Sequence, residues 1–164
     1  MTGRKEVFLQ EILGQAPRIL GQQCRVPTMR PYGCFDRPFW NYGDYGTPRT
    51  RRQEAVLTLA LLYTIQHEDN IYFGNRMILE WIRAGIDFYS RIQLRTGAFN
   101  ELYPNEFNYT STAFTSYAVS ESLILLKDEL PARQAYMDTL RKAAAWLSRN
   151  GEPLVINLSL IHIS

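Results

Sequence analysis

The sequence predicts an all-α fold, a partial α/α toroid of antiparallel helical hairpins in which inner and outer helices alternate. Residues 55–63 and 113–126 are apolar on almost every side, which is typical of helices buried all round. Residues 75–93 and 131–149 carry their apolar side chains along one stripe, which is typical of surface helices. An ordinary four-helix bundle would make all four helices one-sided. A closed double ring needs more helices than this chain supplies, so the predicted toroid is incomplete.

Length and charge restrict the classes of function. The 164 residues fit one domain, and an apolar fraction of 46% is enough for a sizeable core. A net charge of +2 argues against a nucleic-acid-binding protein that works by bulk charge. No apolar run is long enough to span a membrane, and the N-terminus lacks the continuous apolar core of a signal peptide. The default expectation is a cytoplasmic protein.

The N-terminal part, residues 1–49, is expected to pack on the helical body. Residues 5–20 predict a short amphipathic helix interrupted at Pro17. The following segment is irregular, because proline and glycine recur too often for regular structure. It is nevertheless rich in aromatic residues, namely Tyr32, Phe35, Phe39, Trp40, Tyr42 and Tyr45. We favour a packed loop anchored by these rings; the alternative is a platform on which sugar rings stack, with Phe39 and Trp40 as binding residues.

The helical part, residues 50–157, begins at a predicted capping box in which Thr50 and Gln53 satisfy backbone N–H groups. Helices are predicted at about 50–65, 75–93 and 110–127, and a fourth starts at Pro131 and runs to about Arg149. Asn150 and Gly151 form a normal C-terminal stop.

The last residues, 158–164, are expected to be foreign to the protein. LSLIHIS resembles the translation of an adapter used in sequencing libraries, and a native apolar strand is the alternative. In the first case the native chain continues past Asn157 and this sequence is an N-terminal fragment. We expect such a fragment to be inactive by itself and to need the remainder of its own chain as a partner.

Cysteine and histidine contribute no predicted metal or redox site. Cys24 and Cys34 are predicted to be free thiols, with a disulfide as the alternative. His67 is predicted to cap a helix end or to lie exposed. Two cysteines and one informative histidine do not make a metal site, and the phosphate-loop, nucleophile-elbow and dinucleotide motifs are absent. No metal and no cofactor are therefore expected.

The stretch between the second and third predicted helices is the main candidate for a functional site. Residues 93–114 read QLRTGAFNELYPNEFNYTSTAF. They are too many for a tight turn, and long loops in compact helical domains are usually functional. The polar and aromatic candidates in it are Asn100, Glu101, Tyr103, Asn105, Glu106, Asn108 and Tyr109.

Three segments resemble the helical N-terminal domain of heparinase II/III-like proteins: CFDRPFWNY, QLRTGAFNELYPNE followed by TAFTSYAVSESLILL, and RKAAAWLSRNGEP. The resemblance covers roughly residues 30–157 and implies a toroid that acts on polysaccharides. Relatives often carry a histidine where Phe107 stands and another directly after the position of Asn157. Both are missing here. Gln93, Gly97 and Phe99 also form a pattern similar to a short motif of terpene-cyclase toroids, which otherwise need an acidic motif that this sequence lacks.

The reaction implied by the resemblance is β-elimination on an acidic polysaccharide. Asn105 or Asn108 would neutralise the uronate carboxylate, and Tyr103 or Tyr109 would transfer the proton. The alternative is structural: asparagine and glutamate side chains cap helix ends and tyrosine rings pack. Asn108, just before a predicted helix, is a natural cap.

Two other functions remain open. Glu101 and Glu106 suggest a toroidal glycoside hydrolase, which uses two carboxylates; we favour capping or solvated roles for them. A non-catalytic glycan-binding or scaffold domain would depend on Trp40. Arg49 and its neighbours Arg51 and Arg52 either bind an acidic glycan or decorate a helix start. Arg37 is expected to pair with Asp36 and pin the aromatic loop, with substrate binding as the alternative.

Overall fold

The computed structural model describes residues 2–43 and 46–151, without the side chains of 2–6 and 128. Within these residues the fold is all-α, as predicted. The five α-helices are α1 (Thr2–Gln22), α2 (Ala55–Thr64), α3 (Arg76–Ile92), α4 (Tyr109–Leu126) and α5 (Arg133–Leu147). Short helical turns cover Pro38–Tyr42, Thr50–Glu54 and Lys127–Glu129. The predicted foreign tail, 158–164, and Tyr45 lie outside the described residues.

Helices α2 and α4 are shielded on nearly all sides, as their composition predicts. No residue of α2 is exposed, since each one is buried or half-buried. In α4 only Tyr117 and Ile124 are exposed. The side chains buried in α4 are mostly small, including Ser111, Thr115 and Ser122, so α4 approaches its neighbours closely.

Helices α3 and α5 are one-sided. In α3 a stripe of apolar side chains faces the core, including Ile78, Ile82 and Tyr89. In α5 Tyr136 and Ala143 are buried, while Asp138, Arg141 and Lys142 are exposed. The predicted alternation between shielded and one-sided helices is therefore present in the described residues.

The four helices pack as two antiparallel hairpins. In the first, Gly74, just before α3, donates its N–H to the Tyr63 carbonyl near the end of α2. In the second, Trp146 near the end of α5 packs against Tyr109 at the start of α4, with ring centroids 6.1 Å apart. The hairpins meet along α2 and α4. Thr115, in the first half of α4, donates to the Thr50 carbonyl just before α2, so the two shielded helices run in the same direction.

The first helix is longer than predicted. Pro17 lies inside α1 and does not interrupt it. A proline removes one backbone hydrogen bond, and its ring tends to bend the helix at that point. Pro17 is exposed, so the ring itself meets no neighbouring element.

Among the described residues, no helix combines the length and apolarity needed to cross a membrane.

Two predicted helix starts are wrong. The Thr50–Gln53 capping box does not form, because both side chains are buried and bound elsewhere. The Thr50 hydroxyl donates to the Asn100 carbonyl at 2.5 Å, and the Gln53 side chain accepts the Phe35 N–H at 2.8 Å. The fourth predicted helix begins at Arg133, two residues after Pro131, following the Lys127–Glu129 turn.

Candidate functional site

The 100–108 loop, residues 100–108 between α3 and α4, is closed at its base. Asn108 donates its N–H to the Phe99 carbonyl at 2.8 Å, and the two residues form an isolated antiparallel bridge. Phe99 is buried and stacks on Tyr89 of α3, with ring centroids 4.5 Å apart. The loop therefore starts and ends on the core.

The Glu106 carboxylate organises the interior of this loop. Its Oε2 atom accepts the backbone N–H groups of Glu101, Leu102 and Tyr103 at 2.9, 2.7 and 3.3 Å. Its Oε1 atom accepts the Asn108 side-chain amide at 2.8 Å. Backbone donors arranged in this way form an anion-binding concavity. Here the anion belongs to the loop itself.

These hydrogen bonds keep Glu106 ionised. Partial burial raises its pKa, but hydrogen bonds from the Leu102 N–H, the Asn108 side chain and the Glu101 N–H outweigh burial, and the net pKa lies below its ordinary value of 4.5. A general acid in a glycoside hydrolase needs the opposite shift, a raised pKa. Glu106 is therefore a poor proton donor near neutral pH.

The Glu101 carboxylate also accepts hydrogen bonds that hold the fold together. Its Oε2 atom accepts the Arg51 N–H at 3.0 Å and the Ser111 hydroxyl at 2.9 Å. The first contact satisfies a free N–H at the start of the α2 region, and the second ties that start to α4. Asn108 caps α4 as predicted, because its side chain accepts the Ser111 N–H at 2.8 Å.

The tip of the 100–108 loop points outward. Tyr103 is 68% exposed, and Leu102 and Phe107 are also exposed. Asn105 and Phe107 have φ angles of 60° and 50°, values that non-glycine residues seldom adopt outside turns and functional sites. Tyr103 and Asn105 are thus both exposed at the tip of the loop, two residues apart in the sequence. Tyr109 is not part of this tip, since it is half-buried against Trp146.

A second candidate lies beside the last turns of α3, the helix that precedes the 100–108 loop. An open cleft of about 850 Å³ separates the irregular segment before residue 49 from the last turns of α3. Phe39 and Trp40 line it from the segment, and Phe88 and Arg91 line it from α3. Trp40 is also an anchor, because its Nε1 donates to the Gln22 carbonyl at 2.8 Å. The anchoring role is therefore observed for Trp40, and the sugar-stacking role of these rings stays a prediction.

The predicted Asp36–Arg37 ion pair does not form. Asp36 is buried, and its Oδ2 accepts the Arg49 N–H at 2.9 Å, whereas Arg37 is exposed. A buried carboxylate binds a backbone donor of a neighbouring segment more readily than the flexible side chain next to it in sequence. Arg37 and Arg49 are not among the residues that line the cleft.

The pattern shared with terpene-cyclase toroids has a packing role. Gln93 donates its side-chain amide to the Gly97 carbonyl at 3.1 Å and to the Thr139 carbonyl of α5 at 2.9 Å. Gly97 lies against the Lys142 backbone, and Phe99 is the ring stacked on Tyr89. The three residues join the end of α3 to α5.

The cysteines and His67 show no functional cluster. Cys24 and Cys34 are free, as predicted, and both are buried. Burial is the largest cause that raises the pKa of the Cys34 thiol, to about 12. His67 follows α2, and its Nδ1 accepts the Asp69 N–H at 3.2 Å. Across the described part of the chain, no three metal-binding side chains come together.

Arg30 and Arg91 are the two cations that line the cleft among the described residues, and no sequence pattern singles them out. Arg91 lies on the exposed side of α3, where a charged residue of a one-sided helix is ordinary and gives no sign of a site. Arg30 lies before Pro31 in the irregular segment, and no local pattern links it to α3.

Comparison with known protein families, curated proteins and solved structures gives no match for this chain.

Proposed function

We propose that this chain is part of a polysaccharide-acting protein of the heparinase II/III-like type, with β-elimination on an acidic polysaccharide as its reaction. In this proposal the two hairpins are an arc of an α/α toroid, with α2 and α4 in the inner ring. The observation that carries the proposal is the exposed pair Tyr103 and Asn105 on a loop held fixed from inside by Glu106. The loop lies at the N-terminal end of α4, the more exposed of the two proposed inner helices.

The proposed chemistry uses these two side chains in turn. The Asn105 amide donates hydrogen bonds to the uronate carboxylate and so makes the C5 proton more acidic. The step requires Tyr103 to act as the phenolate: its oxygen takes that proton, and the electron pair forms a double bond between C4 and C5 as the bond from C4 to the leaving oxygen breaks. The tyrosine then returns the proton to the leaving oxygen. One bond is cleaved and no water is consumed.

The positions of the two glutamates favour this proposal over a hydrolase. A hydrolase requires one carboxylic acid to give a proton and a second carboxylate to attack or to activate water. Glu106 holds three backbone N–H groups, and Glu101 holds one N–H and one hydroxyl. Both carboxylates are engaged in stabilising the loop and the helix starts.

Binding and product formation test the proposal together. The chain is titrated with polymers of uronic acid, and the mixture at stoichiometric protein is monitored for the ultraviolet absorbance of an unsaturated product. We expect Tyr103→Ala to weaken binding by about tenfold, the value of one lost aromatic contact with its hydrogen bond. Tyr117→Ala is the matched control, because Tyr117 is 60% exposed but lies on α4, in the helix that follows the loop.

Two outcomes would contradict the proposal. If Tyr103→Ala binds acidic polymers as tightly as the original chain, the loop is not the binding site. If binding depends on Tyr103 but no unsaturated product appears even when the chain is joined to the rest of the protein of which it is proposed to be part, the non-catalytic glycan-binding alternative replaces the lyase.

A further inference from the structure

We propose that the cleft between the irregular segment and α3 is a binding site for an acidic oligosaccharide, separate from the 100–108 loop. Its walls combine the aromatic rings of Phe39 and Trp40 with the guanidinium groups of Arg30 and Arg91. The inference does not depend on β-elimination, because none of its lining residues belongs to the loop.

The charged side chains that the described residues contribute to the cleft are all positive. Arg30 comes from the irregular segment and Arg91 from the last turn of α3, so cations face the cleft from both walls. Within residues 2–43 and 46–151 no acidic side chain lines it. A concave surface with cations on both walls and no described carboxylate attracts anions.

Arg91 is positioned by the fold. Its Nη2 donates to the Tyr32 carbonyl at 2.7 Å, and its guanidinium carbon lies 5.4 Å from the centre of the Phe88 ring. Arg91 Nε and Nη1 have no hydrogen-bond partner among the residues that the structure describes. A guanidinium fixed in this way loses little conformational entropy on binding a carboxylate or a sulfate ester.

The apolar walls suit sugar rings. Trp40 is fixed by the hydrogen bond from its Nε1 to the Gln22 carbonyl and is half-buried, so part of its ring is left for a ligand. The C–H face of a pyranose packs on one aromatic face, as it does on other amphipathic rings. A volume of about 850 Å³ falls within the range of ligand pockets and accommodates a short oligosaccharide.

The cleft distinguishes ligands by its walls more than by its charge. The two guanidinium groups attract carboxylate, sulfate and phosphate groups alike. The aromatic rings beside these cations suit a ligand that carries several sugar rings and several anionic groups. We therefore assign the site to a uronic-acid or sulfated oligosaccharide, and a nucleotide is the rival that the titration below tests.

Calorimetric titration of the full chain at low salt tests this assignment with four probes. They are a trimer of galacturonic acid, a neutral trimer of galactose, sodium sulfate and adenosine monophosphate. Arg30→Gln is the test variant, because Arg30 is exposed and its loss leaves the core untouched. Arg37→Gln is the matched control, since Arg37 is an exposed arginine of the same segment that does not line the cleft.

We expect the acidic trimer to bind at least about tenfold more tightly than each of the other three probes, and Arg30→Gln to weaken it by about tenfold, the value of one charge-assisted contact. Arg37→Gln should bind like the original chain. The assignment is overturned if the neutral trimer, sulfate or the nucleotide binds as tightly as the acidic trimer, if the acidic trimer does not bind, or if both arginine variants behave alike. Tyr103→Ala separates the two proposals, because the part of trimer binding that Arg30→Gln weakens should be unchanged in this variant.

Discussion

The 100–108 loop and the cleft use their charged side chains in opposite ways. In the loop, the carboxylates of Glu101 and Glu106 are turned inward and hold backbone N–H groups. In the cleft, Arg30 and Arg91 are exposed, and their charges face a space that a ligand can enter. A charged residue in a long loop is therefore a functional candidate only after the hydrogen-bond needs of the loop backbone have been met.

The two regions differ because their backbone N–H groups find different hydrogen-bond partners. The 100–108 loop has few backbone partners of its own, so its N–H groups require side-chain acceptors. The irregular segment satisfies several of its groups by turns, such as the hydrogen bond of 3.0 Å from the Met29 N–H to the Val26 carbonyl. Its long side chains are consequently left for contacts with solvent or ligand.

The largest expected effects come from the glycine that attaches each region to the helices. A Cβ at Gly33 would lie 1.9 Å from the Ala84 carbonyl oxygen, and one at Gly97 would lie 2.3 Å from the Lys142 carbonyl oxygen. Both glycines also have positive φ angles, 91° and 99°. We expect Gly33→Ala and Gly97→Ala each to lower the free energy of unfolding by more than about 3 kcal/mol in chemical denaturation.

The control for these two changes is Gly14→Ala. Gly14 lies in α1, and a Cβ there would meet no atom within 4 Å. This change should raise stability by about 0.5 to 1 kcal/mol, since alanine favours a helix. Equal losses in all three variants would show that the close approaches of Gly33 and Gly97 do not hold the two regions in place.

A smaller loss is expected when the loop carboxylate is neutralised. Glu106→Gln keeps the shape of the side chain but replaces a charged acceptor of three N–H groups by a neutral one. We expect a loss of about 1 to 2 kcal/mol at neutral pH, allowing for solvent screening of a half-buried group. Glu68→Gln, an exposed glutamate after α2, should change stability by less than about 0.5 kcal/mol.

The same carboxylate predicts a pH dependence. The folded-state pKa of Glu106 is lowered, so its contribution is present above its ordinary value of 4.5 and is lost as the pH falls through the lower folded value. The difference in stability between the original chain and Glu106→Gln should therefore shrink below pH 4.5. A difference that stays constant to lower pH would contradict the proposed role of the charge.

The smallest expected effect concerns the reactivity of Cys34, in the irregular segment that forms one wall of the cleft. The test measures a rate of labelling and does not change the stability of the chain. Burial raises the pKa of the Cys34 thiol to about 12, and the thiolate is the reactive form. Iodoacetamide at pH 8 should therefore leave Cys34 unmodified in the folded chain and modify it rapidly after denaturation. Mass spectrometry of the alkylated peptides measures both rates; fast labelling of the folded chain would show that the segment opens.

Much of the helical framework can be predicted from residue patterns. The apolar stripe of α3 predicts a helix at 75–93, and the observed bounds are Arg76–Ile92. Asn108 is predicted as a cap because asparagine before a helical pattern is a local signal, and it does cap α4. These features depend on residues only a few positions apart.

The site is harder to predict because its contacts join distant parts of the chain. The Thr50 hydroxyl binds the Asn100 carbonyl, and the Arg51 N–H binds Glu101, so a local capping box is replaced by contacts from the loop. The cleft is hard to predict for the same reason. Arg30 and Arg91 line it together only after the irregular segment has folded onto α3. A single sequence carries no local signal for such pairs.

The protonation of Glu106 tests the central contrast most directly. The carboxyl carbon of Glu106 and the amide groups of Glu101, Leu102 and Tyr103 are followed together by NMR as the pH is lowered. We predict that Glu106 titrates below 4.5 and that the three amides shift with the same midpoint, as a carboxylate bound by the loop backbone requires. Titration of Glu106 well above 4.5, with amides that do not follow it, would mark a proton donor and contradict the account.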